Sequence, residues 1–141
     1  MSRKFTIILL LGFASLLAAS CYNEPEYRIV KPWQITHTYL NGEEITETDY
    51  FANQPGTFYY IYADCVLNVM ASYNGLIRES TSGYWILRNR NKSIEMNFTL
   101  LGYHYSYLAN LQKLTKRELI YDYTDPEGNH WEIHMNSRAS Y

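Results

Sequence analysis

The chain has 141 residues, with 12 basic and 14 acidic side chains and a formal net charge of −2, which is enough for one domain around one core. Without Arg3 and Lys4, ten basic residues face fourteen acidic ones and the net charge falls to near −4. No run of basic residues follows, and phosphate binding needs a clustered positive field, so composition speaks against nucleic acid as a partner.

Residues 1–20 have the build of an export signal. Arg3 and Lys4 supply a positive start, residues 5–17 form an apolar run broken only by Thr6, Gly12 and Ser15, and Ala18, Ala19 and Ser20 are small. The run is shorter than the ~20 residues that a spanning helix needs. The stretch Leu17-Ala18-Ala19-Ser20-Cys21 resembles the bacterial lipobox, with Ala18 where that pattern prefers leucine. This resemblance implies acylation of the Cys21 thiol and a chain anchored in the cell envelope, at the outer membrane, by acyl chains worth ~0.8 kcal/mol per buried CH₂. The expected organisation is a signal over 1–20, a lipidated N terminus and polar tether over 21–31, and a β domain over 32–141. Glu24 and Glu26 resemble the acidic tags of some surface-exposed lipoproteins. With Cys21 acylated, Cys65 is expected to have no disulfide partner. Lying between Asp64 and Val66-Leu67-Asn68-Val69, it reads as a core thiol rather than a nucleophile.

From residue 33 onward the apolar period is two, with turn signals at short intervals, as in all-β barrels and sandwiches. Trp33, Ile35, His37 and Tyr39 alternate with polar residues, and Asn41-Gly42 predicts a hairpin. Residues 43–56 read as a loop, or a short strand and a loop. Phe58, Tyr60 and Tyr62 alternate next, followed by Cys65, Leu67, Val69 and Ala71, and Asn74-Gly75 predicts a second hairpin. Residues 76–82 read as a weaker exposed strand that Gly83 separates from a strand over 84–89. Ile94, Met96 and Phe98 form the cleanest half-buried strand. Tyr103, Tyr105, Tyr107, Ala109 and Leu111 share one face, with Leu108 on the other. Leu119, Tyr121 and Tyr123 precede the turn at 125–129, and Trp131, Ile133 and Met135 form the last inward row. Eight or nine strands with short connections predict an antiparallel up-and-down barrel, which leaves no open edge. A two-sheet β-sandwich is the alternative.

The order of motifs resembles the small lipocalin-like lipoproteins of Gram-negative anaerobes, over residues 31–135. The resemblance rests on Lys31-Pro32-Trp33 with Asn41-Gly42 after it, and on Gly83-Tyr84-Trp85 at mid-chain. It rests also on the step Leu111-Gln112-Lys113-Leu114-Thr115-Lys116-Arg117-Glu118-Leu119 and on the final hairpin. The Gly-x-Trp of true lipocalins is absent, as is room for their helix before the last strand. The resemblance implies a barrel able to hold a small apolar molecule, without identifying one.

His130-Trp131-Glu132-Ile133-His134 places two imidazoles and a carboxylate on one strand face. Four residues of strand separate the histidine Cα atoms by ~13 Å, too far for one zinc ion, so this row reads as a solvated face. His37 shares the parity of Trp33 and Ile35 and is expected to point inward, bonded to a tyrosine. His37, Tyr39, Tyr60, Tyr62 and Tyr105 are therefore the candidate ligand-binding residues, and His104 is expected to be exposed. Glu43, Glu44, Glu47 and Asp49 read as solvated loop carboxylates. No cofactor or nucleophile motif is present, so nothing positive points to an enzyme. The two functions carried forward are a barrel binding a small apolar or amphipathic ligand, and a subunit docking onto an envelope protein through a tyrosine-rich face.

Overall fold

A computed structural model describes residues 26–48, 57–73 and 76–138. A short 3-10 turn, Glu26–Ile29, leads into β1 (Pro32–Leu40), β2 (Glu43–Glu44), β3 (Phe58–Ile61), β4 (Val66–Tyr73) and β5 (Leu76–Arg88). Then follow β6 (Ser93–Leu100), β7 (Tyr103–Leu114), β8 (Glu118–Thr124) and β9 (His130–Ser137). Neighbouring strands pair in the order β2-β1-β3-β4-β5-β6-β7-β8-β9, and β1 also pairs with β9. Eight strands therefore close into an antiparallel up-and-down barrel, with β2 as an extra strand. The closing seam runs from Trp33↔Ser137 to Leu40↔Trp131, which decides between barrel and sandwich.

Alternation explains the interior. Tyr59 and Ile61 of β3, Leu67, Val69 and Ala71 of β4, and Trp85 and Leu87 of β5 are buried. Ile94, Met96, Phe98 and Leu100 of β6 continue the same core, with Leu119, Tyr121, Ile133 and Met135 across from them. An eight-stranded barrel has room for little more than its own side chains, and these residues fill most of it. The lower end is where the chain enters; it also holds the turns at 62–65, 89–92 and 115–117. Ile29 and Trp33 are fully buried there. The Trp33 indole N–H donates to the Ile29 carbonyl at 2.9 Å, and that of Trp85 donates to the Tyr62 carbonyl at 2.8 Å. Both tryptophans thus bury their rings without orphaning a donor. The upper end holds the turns at 41–42, 101–102 and 125–129; at the first, Asn41 (φ 51) and Gly42 (φ 83) both adopt the left-handed backbone that a two-residue hairpin requires.

Three expectations change. Gly83 does not break a strand: β5 runs through it unbroken. Below this point Tyr84↔Asn97 to Arg88↔Ser93 join β5 to β6, whereas above it the register of β5 is with β4 alone. Having no Cβ, Gly83 lets the β5 and β6 backbones approach closely there. His37 does not point inward. The β1–β9 register shifts between Ile35 and His37, so Ile35 stays opposite Met135 inside while His37 lies opposite His134 outside. A bulge adds one residue and reverses the parity beyond it. Cys65, in the turn before β4 at φ 69, is half-buried and disulfide-bonded rather than a thiol without a partner. The expected hairpin at Asn74-Gly75 and Cys21 itself lie outside the described residues.

Candidate functional site

A cleft lies where the β7–β8 seam parts at the upper end of the barrel. β7 and β8 pair from Leu114↔Leu119 up to Asn110↔Asp122. Above that, residues 103–109 of β7 keep their register only with β6. The two strands part towards the upper end, leaving a cleft of about 670 Å³ lined by Tyr105, Tyr107, Leu108, Tyr123, Pro126 and Trp131. A smaller cavity of about 200 Å³ inside the barrel shares Tyr105, Tyr107, Tyr123 and Trp131 with it, and adds Thr38, Tyr59 and Phe98. The four shared aromatics lie between solvent and core.

Their arrangement follows from cross-strand pairing. Phe98 and Tyr105 are directly opposed on β6 and β7, and their rings stack with centroids 5.0 Å apart at 17°. Across the parted seam, Tyr107 and Tyr123 stack at 4.0 Å and 2°. Tyr107 also lies 5.9 Å from Tyr121, and their hydroxyls are hydrogen-bonded at 3.0 Å. The Tyr107 hydroxyl is within 3.3 Å of the Met96 sulfur. Burial, reinforced by neighbouring tyrosines, pushes the Tyr107 hydroxyl well above the ordinary tyrosine range. It is thus a neutral hydrogen-bonding group throughout the physiological range, a polar point in an otherwise apolar lining.

The upper lip of the cleft is held by Asp125. Its carboxylate accepts from the Trp131 indole N–H at 2.9 Å and from the backbone N–H groups of Glu127 and Asn129. The Trp131 bond above all, helped by the Asn129 and Glu127 bonds, holds the Asp125 carboxyl below its ordinary range against the opposing effect of desolvation. A group whose pKa is lower folded than unfolded stabilises the turn above the ordinary carboxylate range, and that contribution is lost as pH falls through the depressed value. Asp125→Asn should therefore remove an acid transition in tryptophan emission that the unaltered chain shows. An identical acid profile in both would sink this account.

Of the residues proposed from sequence, Tyr105 is in the cleft. His37, Tyr39, Tyr60 and Tyr62 are outside the barrel wall. The His37 Nδ1 is 2.8 Å from Glu44 Oε1, a contact that, with a bond from Thr46, lowers the Glu44 pKa. His134 is 3.0 Å from Glu132 and packs against the Tyr39 ring at 5.1 Å. Tyr60 lies between Phe58 and Tyr62 in an outward aromatic strip, because Tyr59 and Ile61 take the inward parity of β3. His130, Glu132 and His134 form the expected outer row, and His104 is exposed against Thr99. Among the described residues no group of three or more His, Cys, Asp or Glu side chains is placed to hold a metal ion. None of their helices is long and apolar enough to cross a membrane.

Tyr107, in a tyrosine row that the sequence offers as a pocket lining, is in the cleft; Tyr121, Tyr123, Phe98 and Trp131 were not singled out from sequence, although the inward parity of their strands was legible. The parting of β7 from β8, which turns a core row into a cleft lining, leaves no local signal. No protein-family model matches the chain, and no curated protein matches it in sequence.

Proposed function

We propose that the chain is an envelope lipoprotein, anchored through Cys21, whose barrel takes up a small apolar or amphipathic molecule between β7 and β8. The observation that carries the binding part is the aromatic cleft that shares Tyr105, Tyr107, Tyr123 and Trp131 with the barrel interior. Ligand pockets commonly measure about 300–1,000 Å³ and are mostly apolar with few polar groups. The cleft has that size, and the inner cavity is smaller. A ligand would thus lie mainly in the cleft with one end inserted, its apolar face on tyrosine rings and a polar atom near the Tyr107 hydroxyl.

Native mass spectrometry on protein recovered from the parent envelope tests this reading. A reproducible increment of a few hundred daltons, lost on denaturation, supports it. A bare chain opposes it. A chain carrying a second protein favours the docking role, for which the outward strip Phe58, Tyr60 and Tyr62 is the candidate surface.

A residue-level test separates the two faces. Removing one stacked ring costs on the order of 1 kcal/mol, so Tyr105→Ala should weaken binding of the apolar probe N-phenylnaphthylamine roughly five- to tenfold. Tyr60→Ala, on the outer wall, should leave it unchanged. Equal losses from both would count against the cleft.

A further inference from the structure

The barrel is electrically polarised along its axis, although its linear sequence shows no basic run. Among the described lysines and arginines, Arg78 alone lies towards the upper end. All the others lie on the lower rim or on the strand ends that reach it. The upper half instead carries Glu43, Glu44, Glu47, Glu79, Asp125 and Glu127. At the lower end Arg88 pairs with Glu95 and Lys113 with Glu118, each at 3.2 Å. Glu26 and Asp64 also lie at this end, but beyond the two pairs Arg28, Lys31, Arg90, Lys92, Lys116, Arg117 and Arg138 outnumber them. The Lys31 ammonium donates to the Lys116 carbonyl at 3.1 Å. Arg28, Lys31, Lys116 and Arg117 line one outer groove of about 1020 Å³ beside β1, β8 and β9. Burial, and then the positive charges of Lys116 and Arg28, hold the Lys31 ammonium below its ordinary pKa, as crowding of like charge requires.

The same end receives the tether. Five residue steps separate Cys21 from Glu26, and a chain extends at most ~3.6 Å per residue. An acyl anchor at Cys21 would therefore hold Glu26, at the start of the 3-10 turn that leads into β1, within about 18 Å of the lipid attachment. We infer that the lower rim, centred on Arg28, Lys31, Lys116 and Arg117, is a docking surface for the phosphates of anionic lipid headgroups, so that the barrel stands with its basic end on the membrane and its β7–β8 cleft turned away. Polybasic surfaces next to a lipid anchor act in this way, each cation adding to the attraction within a Debye length of the surface. This orientation rests on the anchored reading, whereas the headgroup affinity does not.

Vesicle sedimentation tests the surface without the anchor. The chain from Cys21 onward, produced without its signal and so never acylated, is mixed with phosphatidylcholine vesicles and with vesicles of phosphatidylcholine and phosphatidylglycerol in equal parts. At least roughly tenfold greater partitioning to the anionic vesicles is expected, falling steeply with salt. The double substitution Lys116→Glu/Arg117→Glu should remove most of it. Both side chains are exposed in a turn, so the barrel should still fold, as circular dichroism would verify. Arg78→Glu, at the other end, should change little.

Equal partitioning to both vesicle types would overturn the inference, as would a double variant that binds like the parent. Preferential retention by a duplex oligonucleotide, or displacement from vesicles by millimolar inorganic phosphate, would also overturn it in favour of another anion. The anchor is judged separately, by the mass of the envelope-derived protein. An unacylated protein that still prefers anionic vesicles removes the tethered orientation and retains the surface. An acylated one without that preference retains the anchor and removes the surface.

Discussion

Gly83→Ala is expected to lower the urea midpoint of unfolding more than any other glycine-to-alanine change in the described barrel. A Cβ on Gly83 would lie 1.9 Å from the Asn97 carbonyl oxygen and 2.9 Å from both the Asn97 carbonyl carbon and the Phe98 Cβ. Two of those atoms are backbone, so no rotamer change relieves the contact, and β5 must move away from β6. That movement would disturb the Tyr84↔Asn97 pairing and shift Phe98, whose ring stacks on Tyr105 in the cleft. Overpacking in a close-packed core costs about 1–3 kcal/mol, and a backbone neighbour puts Gly83 at the upper end of that range or beyond it. Domains of this size are stable by only about 5–15 kcal/mol, so the shift should be large.

Gly128→Ala supplies the contrast. Gly128 has φ +86 and open space around its Cβ position, so its alanine variant should lose only the left-handed backbone penalty of about 1–2 kcal/mol. A Gly83→Ala midpoint equal to or above that of Gly128→Ala would refute the close-approach account.

Cys21→Ser is expected to move the protein from the membrane fraction of the parent cell to the soluble fraction, an all-or-none change. The intact mass of the envelope-derived protein should carry the acyl groups, and a mass without them would refute the anchor.

Strand number and fold class were legible because a barrel wall imposes period two on its residues. Rows such as Ile94-Met96-Phe98, Leu119-Tyr121-Tyr123 and Trp131-Ile133-Met135 need no partner to be read, and all three face the interior. Parity fails where one inserted residue resets it. Trp33 and Ile35 were placed correctly, while His37 and Tyr39 were not, because the bulge that turns them outward depends on pairing with β9. In β3 the aromatic residues occupy both parities, so Phe58, Tyr60 and Tyr62 looked as core-like as Tyr59 and Ile61. Only the pairing of Tyr59 with Val69 and of Ile61 with Leu67 decides which row is inside.

By itself the sequence determined the all-β class, the inward rows of most strands, the hairpin at Asn41-Gly42 and the lipobox-like context of Cys21. These are local properties, carried by alternation, turn residues and short motifs. The tertiary structure decided closure between β1 and β9, the opening between β7 and β8, and the gathering of all the described basic residues except Arg78 at one end. Each depends on residues far apart in the chain meeting across a seam or around a rim. Distance along the chain hides such meetings: Lys31 and Lys116, 85 residues apart, share one groove.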